Sequence, residues 1–279
     1  MPDRAQTPKQ VPPPRGILRA SRPDGLLDGR RILPSESIAA YVHHFWSLRW
    51  ALESPFVAET LPHPSIQILH TETAARRRAD LLGVHTGRLS RRLDGEGQTF
   101  GIAFRPAMFH PLLGASVATL TDRVVPLHRV LGSRAKGWMR AILDARNVAE
   151  KVAIVESFLA PLLPPPPPQL ARLRDVVERM ALDPSILRVG DVSAAIGLDT
   201  RALQRSFRTQ VGVSPKWVIQ RYRLHEAAAQ LESPHPPSLA ALAASLGYAD
   251  QAHFGRDFKR MIGQTPRSFA RARGARTAT

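Results

Sequence analysis

Arginine and glutamine recur at helical spacing in two parts of this chain, and the pairing has a specific chemistry. Between Asp199 and Glu226 stand Arg201, Gln204, Arg205, Arg208, Lys216, Arg221 and Arg223, with no acid among them. From Arg256 to Arg276 come Arg256, Lys259, Arg260, Arg267, Arg271, Arg273 and Arg276, set against Asp257 alone. Arginine and glutamine make paired hydrogen bonds to guanine and adenine edges in a DNA major groove. Lysine and arginine neutralise phosphates and release their counterions. Acid-free runs of this kind suit a polyanionic partner.

The elements that must carry these side chains can be read from a repeat. At an offset of about fifty residues, Ala195-Ile196-Gly197-Leu198 answers Ser245-Leu246-Gly247-Tyr248. Leu203-Gln204-Arg205-Ser206-Phe207 then answers Phe254-Gly255-Arg256-Asp257-Phe258, and Gly212-Val213-Ser214-Pro215 answers Gly263-Gln264-Thr265-Pro266. Each copy predicts a short apolar helix, a glycine turn and a basic amphipathic helix. In the first copy Val189, Val192, Ala195 and Ile196 form the apolar face and Gly197 ends the helix. Leu198 plugs the turn, Asp199 caps the next helix, and Leu203, Phe207 and Val211 form its buried stripe. In the second, Leu239, Leu242, Ala243 and Leu246 precede Gly247 and the plug Tyr248, and Phe254, Phe258 and Ile262 form the stripe. Ser214-Pro215 and Thr265-Pro266 open further helices, serine or threonine as cap and proline at the first helical position. A single basic helical face is ordinarily a solvated surface. Two in register, with matching plugs, stripes and caps, describe a pair of helix-turn-helix units.

The motifs Gly-Leu-x-x-Arg-x-Leu-Gln-Arg-x-Phe (197–207) and Gly-Tyr-x-Asp-Gln-x-His-Phe-x-Arg-x-Phe-Lys (247–259) resemble the two halves of an AraC/XylS-type DNA-binding domain. The resemblance spans about Gln169 to Arg273. It implies seven helices, two recognition helices in successive major grooves and a long helix between them. By that match the base-reading positions are Arg201, Gln204 and Arg205 in the first unit, and Gln251, Ala252, Gly255 and Arg256 in the second. Ala252 and Gly255 have no hydrogen-bonding side chain, so the second helix is expected to read fewer bases and to depend more on phosphates and DNA shape. Arg208, Lys216, Lys259, Arg260, Arg267 and Arg271 are the expected phosphate contacts. His253 is expected to pack or to touch phosphate.

The remainder of the chain sets the frame. Its 279 residues carry a net charge of +16, but the excess does not locate the site. Residues 169–279 hold 17 basic and 9 acidic residues and residues 1–168 hold 22 and 14, an excess of eight in each. There is no cysteine, which excludes disulfides, thiol catalysis and cysteine-based zinc sites. No apolar run approaches the length of a membrane span and no leader is visible, so a cytoplasmic location without membrane association is expected.

Residues 1–30 read as a flexible tail, in which Gly16-Ile17-Leu18 could add an edge strand. Residues 31–133 read as a sensing or dimerisation domain. Tyr41 to Trp50, Ser65 to His70, Leu81 to His85 and Thr99 to Phe104 are strand candidates, pointing to a small barrel or a cupin-like sandwich. This region resembles the N-terminal domain of a subset of AraC-type regulators whose ligand is undefined, through Tyr41–Trp50, Leu61-Pro62 with Ile66–Leu69, Gly101–Pro106 and Leu120–Leu127. Residues 134–163 form a helical connector, Pro164–Pro168 a stiff polyproline linker, and 169–279 the DNA-binding domain. The expected fold class is therefore α+β, mostly β at the N-terminus and all-α at the C-terminus.

Enzymatic alternatives are weaker. Seven histidines lie between 43 and 128 but none forms a His-x-His pair; His63 and His70, with Glu59 or Glu72, are the one grouping that resembles a metal set. No phosphate loop or nucleophile elbow is present. The expectation is a sequence-specific transcriptional regulator, not an enzyme, needing no cofactor. Double-stranded DNA is its partner, and RNA polymerase, a small-molecule effector and a second copy are further candidates. The competing readings are a metal-dependent cupin-like enzyme tethered to DNA and a non-specific basic DNA-binding protein.

Overall fold

The computed structural model describes residues 17–18, 25–183, 185–233 and 235–277, without the side chains of 17, 18, 134 and 272–277. The expected tail falls largely outside them, but Gly25–Arg30, assigned to it, belong to a strand. Ile17–Leu18 (β1) also pair as an edge strand, with Thr60 and Glu59.

Eight further strands follow: β2 (Gly25–Ile32), β3 (Val42–Leu52), β4 (Phe56–Thr60), β5 (Gln67–Thr73), β6 (Arg76–Leu82), β7 (Leu89–Leu93), β8 (Glu96–Phe104) and β9 (Val124–Pro126). They form a six-stranded sheet, β2-β3-β8-β5-β6-β9, and a three-stranded sheet, β1-β4-β7; every pairing is antiparallel. Of the two expected β architectures, the two-sheet arrangement is the one formed.

Register explains why the large sheet holds together. Ile32 faces Phe45, Phe45 faces Ile102, Ile102 faces Ile68, Ile68 faces Leu81 and Leu81 faces Val125. One apolar row thus crosses all six strands, and its four central members are fully buried. Each such side chain contributes roughly 1.5–3 kcal/mol by leaving water. Gly101 in the central strand β8 leaves room for the Trp46 indole, whose atoms lie as close as 2.1 Å to where a Cβ would stand.

The helices α1 (His110–Leu113), α2 (His128–Leu131), α3 (Arg134–Asp144) and α4 (Val148–Leu159) follow the strands. Trp138, Ile142, Val152 and Val155 of α3 and α4 join the core built on the Ile32–Leu81 row. Among the described residues seven α-helices follow: α5 (Pro168–Leu182), α6 (Val189–Ile196), α7 (Thr200–Ser206), α8 (Pro215–Leu231), α9 (Leu239–Ser245), α10 (Gln251–Ile262) and α11 (Pro266–Thr277). This is the seven-helix count that the resemblance implies.

The polyproline stretch marks a change of composition but does not divide the packing. Tyr41 donates its hydroxyl to the Pro164 carbonyl at 2.6 Å. The same core runs on through Leu173 and Val177 of α5 into Val192, Leu203, Phe207 and Val218. Leu224, Leu242, Phe254, Phe258 and Phe269 form a second cluster. The first helix-turn-helix unit therefore shares its core with the β domain, whereas the second has a core of its own.

Candidate nucleic-acid interface

Both units are built as their residue types dictate. Gly197, Gly212, Gly247 and Gly263 take the left-handed backbone at the four helix ends, with φ between 70° and 97°. Asp199 accepts from the Ala202 amide at 2.9 Å, Asp250 from His253 at 2.7 Å, Ser214 from Trp217 at 3.2 Å and Thr265 from Ser268 at 3.2 Å. Each cap satisfies an amide that the helix itself leaves free. Leu203, Phe207 and Val211 are buried in one unit, and Phe254, Phe258 and Ile262 in the other. Ala195 is exposed, so the buried face of α6 is narrower than its spacing suggests.

The candidate contact residues lie on the opposite faces. Arg201, Gln204, Arg205, Arg208, Lys216, Gln251, Ala252, Arg256, Lys259, Arg260, Arg267 and Arg271 are all exposed, and Gly255 is half-buried. Gln251, Gly255 and Arg267 line one cleft of about 220 Å³ between α10 and the start of α11. The linking helix α8 has 17 residues, about 26 Å at 1.5 Å per residue.

Some features depart from the sequence reading. The first recognition helix is not one α-helix: α7 stops at Ser206, and Phe207–Val211 continue as a π-helical turn. Arg221 and Arg223, counted in the first basic run, are buried. Arg221 donates to the Pro62 carbonyl at 2.6 Å and its guanidinium lies 4.5 Å above the Tyr222 ring. Arg223 donates to the carbonyls of Leu246, at 3.0 Å, and Ile186. One side chain of α8 thus ties the approach to the first unit to the end of α9 in the second. Periodicity could have marked these two, since Arg221 stands three residues before the core position Leu224 and Arg223 four before Ala227, but their charge pointed to the surface. Arg273 has no described side chain.

Asp257 has a part that its sequence position did not disclose. It is almost fully buried, accepts from Gln220 Nε2 of α8 at 3.1 Å, and pairs with Arg260 at 2.8 Å and His253 at 3.5 Å. His253 also packs edge-on against Tyr248, with centroids 5.2 Å apart. Burial, then the Asp257 charge, raises the Tyr248 phenol above its ordinary range.

The β domain touches both units. Thr121 donates to the Gly212 carbonyl at 2.6 Å and Ser116 to that of Arg208 at 3.4 Å. Trp217 Nε1 donates to the Thr86 carbonyl at 3.2 Å. The Arg88 guanidinium covers Gly263, at the end of α10, and pairs with Glu59 at 2.6 Å. Arg105 pairs with Glu178 of α5 at 2.6 Å. Arg88 thus meets the C-terminal end of α10, Ser116 and Thr121 that of the first recognition helix, Trp217 the start of α8 and Glu178 the helix α5, while the arginine and glutamine faces stay exposed.

At the same junction lies a cluster of bases. Arg31 reaches His44 Nδ1 at 2.9 Å, His43 and His63 stack at 6.4 Å, and His63 meets Tyr222 edge-on. Burial, followed by the neighbouring Arg31 charge, pushes His43 down to about 4 and His44 to about 2. Burial and Arg221 lower His63 well below its ordinary value and His225 to about 3. The grouping of His63 and His70 with Glu59 or Glu72 does not assemble: His70 packs between Phe100 and Trp138, Glu59 holds Arg88, and Glu72 holds Arg77 and Gln98. Among the described residues no three His, Asp or Glu side chains are grouped to hold a metal ion. No described helix is long and apolar enough to cross a membrane.

Two helix-turn-helix units joined by one long helix, behind a two-sheet β domain, define the class of protein. Residues 192–272 match the family described as helix-turn-helix domain, and residues 30–126 match a domain of unknown function (DUF6597). Among curated proteins, the chain is 33% identical over 81 residues to the HTH-type transcriptional regulator MtrA of Neisseria gonorrhoeae, covering 29% of this chain and 27% of that protein. It is 29% identical over 105 residues to the arabinose operon regulatory protein of Salmonella typhimurium, covering 37% of each. The chain thus spans about a third of the length of these relatives. Among solved structures, ToxT from Vibrio cholerae is 10% identical, with a TM-score of 0.40 over 82% of this chain and 97% of that one. The DNA-binding domain of AdpA, solved with a target DNA, is 22% identical, with a TM-score of 0.34 over 39% of this chain and 97% of that one. The matched segments thus give this chain a C-terminal helix-turn-helix domain similar to that of AraC-type transcription regulators and an N-terminal domain of unknown function.

Proposed function

We propose that this chain binds double-stranded DNA sequence-specifically, inserting α7 and α10 into successive major grooves, and regulates transcription from the bound site. The observation that carries the reading is the exposure of Arg201, Gln204 and Arg205 on one unit and of Gln251 and Arg256 on the other, with α8 setting the separation. The length of α8 plus the width of the flanking units suits one DNA turn, about 34 Å. Arg208, Lys216, Lys259, Arg267 and Arg271 supply phosphate contacts. The names of the curated relatives as transcription regulators support the same reading.

Control enters through the N-terminal domain. The first unit shares its core with the β domain and accepts hydrogen bonds from Ser116 and Thr121. An effector or partner that moves residues 116–121 moves the end of the first recognition helix with them. RNA polymerase and a second copy are the further partners such a regulator would meet. Selection of bound sequences from a randomised pool, followed by titration at several salt concentrations, tests the function. The expected result is one enriched motif with two half-sites about one turn apart, bound more weakly as salt rises. Equal retention of all sequences would mean a non-specific basic DNA binder instead.

A further inference from the structure

The two units differ at three matched positions that surround one carboxylate. Ser206 in the first corresponds to Asp257 in the second, Ala202 to His253, and Thr209 to Arg260. The second unit therefore carries a buried carboxylate with two basic partners on its own helix, where the first has the uncharged Ser206, Ala202 and Thr209. Asp257 is 4% exposed, whereas the side chains of Arg260 and His253 are 69% and 47% exposed. Its Oδ2 accepts from Gln220 of α8 and its Oδ1 pairs with Arg260. The carboxylate is thus bonded to the linking helix behind and to the recognition helix that bears it.

The first unit is held by different means. Its recognition helix ends in the π-helical turn Phe207–Val211, and the β domain donates to the carbonyls of Arg208 and Gly212. The second unit has a separate core, and the β domain meets the end of α10 through the Arg88 guanidinium over Gly263.

We propose that Asp257 is a positioning residue: it locks α10 onto α8 through Gln220 and holds Arg260 back from the DNA backbone, leaving Arg256 and Lys259 as the basic contacts of that helix. This rests on the DNA-binding function proposed above and replaces the assignment of Arg260 as a phosphate contact. A buried carboxylate that lost its cation would be left incompletely neutralised, so the pairing holds when DNA approaches.

The experiment is the salt dependence of binding by the full chain to its selected site, read as the slope of log K against log salt. Each phosphate contact contributes about 0.9 to that slope. Arg260→Ala should leave the slope unchanged, and Lys259→Ala should lower it by about one contact. Asp257→Asn keeps an acceptor for Gln220 but frees Arg260, so the slope should rise by about one contact. Adding Arg260→Ala to Asp257→Asn should return it to the original value. A slope lowered by Arg260→Ala alone would overturn the proposal, and that variant keeps Asp257 should Asp257→Asn fail to fold. Absence of salt-dependent binding by the unsubstituted chain would instead overturn the DNA-binding reading itself.

Discussion

Thr121 donates its hydroxyl to the carbonyl of Gly212 across 2.6 Å, joining the β domain to the residue that ends the first recognition helix. Gly212 is buried there at φ 97°, and a Cβ would stand 3.0 Å from Val117. Glycine thus serves twice, turning the chain and admitting the neighbouring domain.

Thr121→Val removes the donor and leaves a buried carbonyl without this partner, a loss of about 1–3 kcal/mol. Urea unfolding of the full chain should show this loss, and affinity for the selected DNA should change with it. Loss of stability with unaltered DNA affinity would place the contact outside the regulatory path.

Arg205 and Arg271 are both exposed basic residues but should behave differently. Arg205→Ala should cost roughly 1–3 kcal/mol of binding free energy and relax preference at one base pair. Arg271→Ala should weaken binding to all sequences about equally. Base-substitution series with each variant distinguish the two; matching, sequence-independent losses would refute the base-reading role of Arg205.

Gly255 lies within α10 with nothing within 4 Å of a Cβ placed on it. Gly255→Ala should therefore stabilise the chain by about 1 kcal/mol, the usual helix-interior difference. Gly255→Gln adds an amide beside Gln251 at the edge of the reading face. It should reduce affinity or alter the preferred bases if the backbone approaches the groove there. Thermal melts and a randomised DNA pool give both answers, and unchanged base preference and affinity would put Gly255 outside the interface.

The histidines at the domain junction should make stability depend on acid. His43, His44, His63 and His225 are held below the ordinary 6.5, first by burial and then by neighbouring arginines. As pH falls below about 6.5 the unfolded chain takes up protons that the folded chain refuses, so unfolding is favoured. Stability should be full above that pH and decline steadily toward about 4, where His43 begins to protonate in the folded state. Urea unfolding at pH 7.5, 6, 5 and 4.5 measures it, and His44→Gln should flatten the decline. A constant stability over this range would contradict the burial of the cluster.

The helices of both helix-turn-helix units, the caps Asp199, Ser214 and Thr265 and both glycine turns were legible in the sequence because each depends on neighbours within a few positions. Asp199 reaches Ala202, Ser214 reaches Trp217, and the Phe254–Phe258 stripe repeats with one helical turn. The exposed arginines and glutamines followed from the same periodicity, since a buried stripe defines its opposite face. Long-range partners were not legible. Arg221 and Arg223 resemble surface arginines until the carbonyls of Pro62, Ile186 and Leu246 arrive from distant segments to accept their hydrogen bonds. Asp257 reads as a lone acid in a basic run until Gln220 meets it across the α8–α10 contact. The proline run suggested separate domains because composition reports local stiffness. Only tertiary packing decided that one core would pass beneath it and join the first helix-turn-helix unit to the β domain.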